Sequence, residues 1–402
     1  MLVTQPKRIS IMGATGSIGR SAADVVLHAN AESPDPVFEI EALVAGSNVD
    51  ELVSLARVLK PSIAVIADET AGEALAEGLA DFGIESAAGE LAAIEAATRP
   101  CDTLLAAISG SAGLASTLAA VQQGTTVALA NKESIVCAGA LILSEAERSG
   151  AGILPVDSEH NAIFQVLQRR QDVERLTITA SGGPFRLHSK AQMERATPEE
   201  AKAHPNWDMG VKNSIDSATL MNKALEFIEA AYLFDLPASK IDVVVHPQSI
   251  IHGMAHYVDG SVLAQLGMPD MRTPIAHALA WPARIPARVA RLELAEIGQL
   301  DFGPVDSERF PAVDYARRAS ALGNAAATVL NSANEAAVTA FISGACGFLD
   351  ISWAVGEMLD SFEASNFGGL ACMSLEEIEY LDARVRDKTM SKLQTAQSRP
   401  GV

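Results

Sequence analysis

From Arg8 to about Leu154, short runs of Val, Ile, Leu and Ala alternate with longer amphipathic stretches. The runs are Ile9 to Met12, Phe38 to Ala45, Ile63 to Ala67, Thr103 to Ile108, Thr126 to Ala130 and Gly152 to Val156. Strands spaced by helices predict βαβ units and a parallel sheet covered on both faces. The expected class is therefore α/β, opening with a doubly wound, Rossmann-like parallel sheet. After Val156 the texture changes to Gly- and Pro-containing loops and alternating segments: Leu176 to Thr179, Val243 to Val245, and Gly260 to Leu266. That alternation predicts a more exposed sheet in an α+β catalytic domain. Pro282, Pro286, Pro304 and Pro311 stand in a stretch of little periodicity that reads as a linker. Beyond it Tyr315 to Ser343, Ser352 to Ser365 and Ser374 to Gln394 read as helices, predicting a small C-terminal all-helical domain ending in a loose tail at Ser398 to Val402. The expected partition is 1–156, 157–281, 282–314 and 315–402.

Composition narrows the class. The 402 residues are 49% hydrophobic and 20% charged, which is globular, and no apolar run approaches the roughly 18 residues of a membrane span. The first periodic segment, Lys7 to Met12, starts so early that a cytoplasmic protein without a leader is expected. Fifty acidic against thirty basic residues give a charge of -20, which repels a phosphate backbone and argues against nucleic acid as a partner. Any anionic ligand needs a local cluster of donors. Cys101, Cys137, Cys346 and Cys372 are widely spaced, without a C-x-x-C pair, and suggest reduced thiols rather than disulfides or a thiolate metal site.

The candidate chemistry begins at Gly13-Ala14-Thr15-Gly16-Ser17-Ile18-Gly19, which follows the first strand and opens the first helix. Glycines there let the backbone turn tightly and approach a pyrophosphate at the helix N-terminus, although G-x-x-G-x-x-G is also compatible with a bare strand-to-helix turn. The second strand ends Ala45-Gly46-Ser47-Asn48, without the carboxylate that would accept hydrogen bonds from a ribose 2'-hydroxyl. That favours NADPH, although no Arg or Lys stands there, so Ser47 and Asn48 would have to bind the 2'-phosphate.

Asp157-Ser158-Glu159 follows the run Gly152 to Val156; in an extended chain two carboxylates at i and i+2 share a side. With Glu226, on a helix around Asn222-Lys223-Ala224-Leu225-Glu226, they offer three hard oxygen donors suited to Mg²⁺ or Mn²⁺; a solvated D-x-E loop is the alternative. Ser181-Gly182-Gly183-Pro184 can form a backbone nest, and Ser217, Asn222 and Lys223 lie at or near the start of the helix that carries Glu226. One helical turn could then hold both a phosphate and a metal, or only an ordinary Lys-Glu pair. His204-Pro205-Asn206-Trp207-Asp208-Met209-Gly210 suits a lid that excludes water and presents His204 and Trp207, or else a core anchor and a satisfied polar residue. His246 to His256 reads as strand and subunit contact rather than metal ligands, and Asn131-Lys132-Glu133 stands at the C-terminal end of a parallel strand, where open α/β sheets bind ligands.

Taken together, Gly13 to Gly19, Ala130 to Ser134, Val156 to Gln165, Ala180 to Phe185, His204 to Gly210, Asn213 to Ala230 and His246 to Arg272 resemble the 1-deoxy-D-xylulose 5-phosphate reductoisomerase family, from Ile9 to about Glu335. The resemblance implies NADPH-dependent rearrangement and reduction of that sugar phosphate to 2-C-methyl-D-erythritol 4-phosphate, in a homodimer using Mg²⁺, Mn²⁺ or Co²⁺. It implies that Asp157, Glu159 and Glu226 bind the metal. Ser181, Ser217, Asn222 and Lys223 would hold the phosphate end, with Ser158, Lys132 and His204 on the rest of the substrate. Thr15, Gly16, Ser17, Ile18, Gly46, Ser47, Asn48, Asn131, Glu133 and Gly210 would line the NADPH site, with Trp207 on the closing flap. Ser47 stands where a basic residue is often found in the family. Two rival readings are a semialdehyde or sugar-phosphate dehydrogenase, which would turn over without metal, and a silent NADPH sensor, which would bind cofactor without consuming it.

Overall fold

A computed structural model describes residues 5–203, 210–365 and 373–397. The chain divides into two compact units, which the chain path crosses several times. The first comprises Met1–Ser134, Ile142–Asn161 and Asp270–Ala290; the second comprises Ile135–Leu141, Ala162–Pro269 and Arg291–Val402.

The first unit is built on seven strands: β1 (Lys7–Met12), β2 (Phe38–Ala45), β3 (Ile63–Ile66), β4 (Glu85–Ala88), β5 (Thr103–Ala106), β6 (Thr126–Leu129) and β7 (Ile153–Pro155). They form one sheet in the order β4-β3-β2-β1-β5-β6-β7, parallel throughout. The order reverses between β1 and β5, and that switch point opens the crevice where such sheets take ligands. Ile9, Ile11, Leu43, Val65 and Leu104 are fully buried, as expected for strands covered on both faces by crossover helices. Those helices are α1 (Ser17–Ala31), α2 (Val49–Leu59), α3 (Gly72–Leu79), α4 (Glu90–Ala97), α5 (Leu114–Gln122) and α6 (Lys132–Ser149). The hydrophobic pattern missed β4. Its sequence, Glu-Ser-Ala-Ala, has no β-branched residue and lies half exposed at the sheet edge, so only pairing with β3 makes it a strand.

Next come α7 (Ser158–Val166), strand β8 (Val173–Ala180), and helices α8 (Lys190–Met193), α9 (Pro198–Lys202), α10 (Val211–Thr219) and α11 (Met221–Leu233). Strands β9 (Ile241–Val245), β10 (Ile251–Tyr257) and β11 (Val262–Leu266) complete a second, mixed sheet of order β11-β10-β8-β9. Its outer strands β9 and β11 are only partly covered, in line with their alternating sequences. Helix α12 (Arg272–Ala280) returns to the first unit, where Lys7 donates to the Leu279 carbonyl at 2.9 Å. The proline-rich stretch carries one short helix, α13 (Leu294–Ile297), and Gly303 exchanges two backbone hydrogen bonds with Val245 at the end of β9. Helices α14 (Ala312–Leu322), α15 (Asn324–Ile342), α16 (Phe348–Ala364) and α17 (Leu375–Gln397) complete the second unit. The single helical stretch expected from Tyr315 to Ser343 is therefore two helices, broken at Gly323, whose φ of +103° no helix accommodates. Among the described residues no helix is long and apolar enough to cross a membrane.

Candidate active site

The glycine loop lies at the switch-point end of β1. Gly13 adopts φ +89°, and a Cβ there would stand 2.4 Å from the Ala107 carbonyl oxygen after β5, so only glycine lets the two strand ends approach. Gly16 caps α1 without a side-chain bond, and Thr15, Ser17 and Ile18 are part-exposed around it. The first amides of α1 thus lie beside open residues, the arrangement that accommodates a dinucleotide pyrophosphate. Gly46, Ser47 and Asn48 are exposed after β2, and Asn48 caps α2 by accepting from the Glu51 amide.

Asn131, after β6, is almost fully buried and knits the neighbouring strand ends together. Its Nδ2 donates to the carbonyls of Ile108 at 2.5 Å and Gly110 at 2.9 Å, while Oδ1 accepts from the Ser134 amide at 2.8 Å and caps α6. Glu133, also buried, accepts from Asn131 at 3.2 Å. Lys132 reaches Asp157 at 2.6 Å, with both side chains about nine-tenths buried.

Asp157, Ser158 and Glu159 are not extended, which corrects the argument from strand alternation. The Asn161 amide donates to the Asp157 carbonyl, so Asp157 occupies the cap position and Ser158 and Glu159 form the first turn of α7. The carboxylates still converge, for a helical reason: Asp157 Oδ1 accepts the Glu159 amide at 3.2 Å, and their oxygens lie within 4.8 Å of one another. Ser158 Oγ donates to Glu159. Behind them Asn161 bridges the Pro155 carbonyl at 2.8 Å and His277 Nδ1 at 3.2 Å. Two hard oxygen donors without a neighbouring thiolate fit Mg²⁺ better than a soft metal.

In the second unit, Gly182 and Gly183 follow β8 with φ +84° and +66°, and the Gly183 amide donates to Ser181 Oγ at 3.2 Å. Ser217 lies in the last turn of α10, and Leu220, in the left-handed region at φ +60°, turns the chain directly into α11. That turn is held by the amides of Lys223 and Ala224 donating to the Leu220 carbonyl. Asn222 and Lys223 therefore occupy the first turn of α11, and both donate to Glu226, Lys223 at 2.6 Å. Glu226 has no exposed surface, Lys223 almost none. A buried carboxylate next to a buried ammonium at a helix start is costly unless it serves a ligand or a close pair, and here the pair is made.

His246 is a structural histidine. Its Nδ1 lies 2.8 Å from the Asp301 carbonyl and its Nε2 accepts the Ile250 amide at 3.1 Å, so the ring is neutral with its proton on Nδ1. His252 lies 3.3 Å from the Gly267 carbonyl and His256 2.9 Å from Thr177 Oγ1. Their reading as strand residues holds, since His252 and His256 lie in β10. Gly210 is exposed at the cap of α10, whereas His204 and Trp207 lie outside the described residues. Arg20, four residues after Gly16, joins α1 to α2 through Glu51 at 3.2 Å.

The chain is similar to known proteins over nearly its whole length. Residues 9–139 match the 1-deoxy-D-xylulose 5-phosphate reductoisomerase family description, and residues 153–234 and 266–388 match two descriptions of the C-terminal domains of that reductoisomerase, so the likeness extends beyond Glu335. The 1-deoxy-D-xylulose 5-phosphate reductoisomerase of Caulobacter vibrioides is 52% identical over 379 residues, covering 94% of this chain and 93% of its own. The solved enzyme from Zymomonas mobilis, in complex with NADPH, is 45% identical with a TM-score of 0.89, covering 97% of this chain and all of its own. A second solved reductoisomerase, in complex with NADPH, fosmidomycin and magnesium, is 42% identical with a TM-score of 0.91, covering 98% of this chain and 99% of its own. At that identity and coverage, this chain belongs to the 1-deoxy-D-xylulose 5-phosphate reductoisomerase family.

Proposed function

We propose that Asp157, Glu159 and Glu226 together hold the divalent metal of this enzyme, and that Ser181, Ser217, Asn222 and Lys223 hold the phosphate of its substrate. The chain is an NADP-dependent oxidoreductase and isomerase that converts 1-deoxy-D-xylulose 5-phosphate to 2-C-methyl-D-erythritol 4-phosphate, in the supply of isoprenoid precursors, with NADPH and a divalent metal as cofactors. The observation that carries the residue assignment is Glu226. It is a fully buried carboxylate sharing one helical turn with Asn222 and Lys223, directly after the left-handed Leu220 that joins this helix to the one carrying Ser217.

A bound divalent ion supplies a Lewis acid that polarises the ketone and eases ionisation of the adjacent hydroxyl; NADPH supplies the hydride that reduces the rearranged aldehyde. The residues of the chain orient these reactants. The α11 amides and the Lys223 ammonium fix the unreactive phosphate, and that binding energy orients and distorts the reacting end. Lys132 and Ser158, flanking Asp157 and Glu159, contact the sugar hydroxyls, with His204 on the rest of the substrate. Thr15 to Ile18, Gly46 to Asn48, Asn131, Glu133 and Gly210 line the NADPH site, and Trp207 closes the flap that keeps water out.

The same reading includes a homodimer, for which the part-covered edge strand β11 offers unpaired backbone groups, and a cytoplasmic location, where NADPH is the working reductant. Mn²⁺ and Co²⁺ are proposed to replace Mg²⁺, since oxygen donors accept all three. The functional division into 1–156, 157–281, 282–314 and 315–402 belongs to this reading as well. The deciding experiment follows NADPH oxidation with 1-deoxy-D-xylulose 5-phosphate, first with Mg²⁺ and then with excess EDTA. Oxidation that EDTA abolishes supports the reading. Metal-independent turnover points instead to a simple dehydrogenase, and folded protein that binds NADPH without consuming it points to a sensor.

A further inference from the structure

NADPH differs from NADH by a single phosphate on the adenosine ribose, and in a chain of net charge -20 that phosphate needs a local cation. The end of β2 supplies none: Gly46, Ser47 and Asn48 offer only neutral donors, all exposed. A guanidinium linked to Asn48 comes from another element. Arg20, one turn into α1, donates through Nη1 to the Thr15 carbonyl at 2.7 Å and to Glu51 Oε1 at 3.2 Å. The other oxygen of Glu51 accepts from Asn48 Nδ2 at 2.9 Å, and Asn48 Oδ1 accepts the Glu51 amide at 3.2 Å. One carboxylate thus ties the guanidinium of α1 to the residue that ends β2. The Arg20 side chain remains 55% exposed, and among the described residues its hydrogen bonds to Thr15 and Glu51 both run from Nη1.

We propose that Arg20 is the residue that recognises the 2'-phosphate of NADPH, with Ser47 and Asn48 as neutral co-donors and Glu51 holding the guanidinium in place. The proposal rests on the reading of the glycine loop and the end of β2 as the cofactor site. A guanidinium accepts a phosphate bidentately and is fully charged at any working pH, so it supplies what Ser47 lacks. Glu51 has a double effect: it positions Arg20 but also competes with the phosphate for it, so neutralising Glu51 strengthens phosphate binding.

The test uses the full chain and two probes, adenosine 2',5'-bisphosphate and 5'-AMP, titrated by calorimetry, with NADPH and NADH as the complete cofactors. Arg20→Ala is expected to weaken the bisphosphate and NADPH by about ten- to a hundredfold and to leave 5'-AMP and NADH unchanged, with a shallower salt dependence. Arg20→Lys retains part of the preference, and Glu51→Gln tightens the bisphosphate alone. Thermal unfolding verifies that each variant is folded, which an exposed position favours. Equal loss for both probes, or no loss for either, in Arg20→Ala overturns the proposal while leaving the cofactor site standing. A wild-type chain that binds the two probes alike likewise overturns the proposal, whereas one that binds neither probe overturns the cofactor-site reading itself.

Discussion

Asn334 of α15 donates its side-chain amide to the carboxylate of Asp216 in α10 at 2.8 Å, and both residues are buried. The other oxygen of Asp216 pairs with Lys212 at 2.9 Å, and Glu335, next to Asn334, pairs with Arg386 of α17. Asp216 immediately precedes Ser217. The C-terminal helices therefore anchor the last turn of the helix that carries Ser217, the residue proposed to hold the substrate phosphate.

Replacing Asn334 by Leu leaves a buried carboxylate short of one donor, a defect costing about 1–3 kcal/mol. Urea unfolding should register that loss, and the KM for the sugar phosphate should rise while the NADPH Kd stays level. The reciprocal exchange Asp216→Asn with Asn334→Asp restores the amide-carboxylate bond and should recover part of both. A variant as stable as the parent would remove this contact from the account.

Glu226→Gln keeps the side-chain volume but removes the charge. If Glu226 helps hold a Lewis acid that supplies several kcal/mol at the transition state, turnover should fall by roughly a hundredfold or more, since each ~1.4 kcal/mol is tenfold. NADPH affinity, measured separately by fluorescence titration, should hardly move. Equal losses in both would count against a metal role.

Ser217→Ala and Lys223→Met should act on the substrate rather than the cofactor. Each removes one proposed phosphate donor, and charge-assisted hydrogen bonds contribute about 1.5–3 kcal/mol, so the substrate Kd should rise about tenfold or more. Fluorescence titration of NADPH gives the control. Undiminished substrate binding in both variants would move the phosphate elsewhere.

His277 titrates far from its ordinary value of 6.5. Burial, reinforced by the positive charge of Arg284, pushes it down to about 4. The unfolded chain therefore binds a proton that the folded chain refuses between those two values. Stability is present in full above the unfolded value and is lost as pH falls from about 6.5 toward about 4, on the order of 2–3 kcal/mol in all. His277→Gln, which can still meet Asn161, should flatten that part of the pH dependence of the unfolding midpoint. An unchanged slope would assign the acid sensitivity to other groups.

The parallel sheet of the first unit was legible because buried β-branched runs spaced by helices have one stable arrangement, and six of its seven strands were found that way. The short edge strand Glu85–Ala88 was not, because its pairing with β3 rather than its own residues makes it extended. The break at Gly323 escaped because periodicity continues across it while φ does not.

For the candidate site, the sequence offered residue types whose chemistry suits the proposed roles: glycines after β1, an oxygen-only donor set, and a Lys and an Asn one turn ahead of a Glu. Local spacing was enough for those, since chemistry restricts which residues can do such work. What only the tertiary structure decided is how they are held. Asp157 and Glu159 converge through a helix cap rather than strand alternation, and a left-handed Leu220 turns the chain from the helix that carries Ser217 into the helix that carries Asn222 and Lys223. Asn334, 118 residues away, secures Asp216, and Arg20 reaches Glu51 across 31 residues of chain. Contacts between residues so distant in sequence leave no local periodicity, and come into being only when packing closes the loops between them.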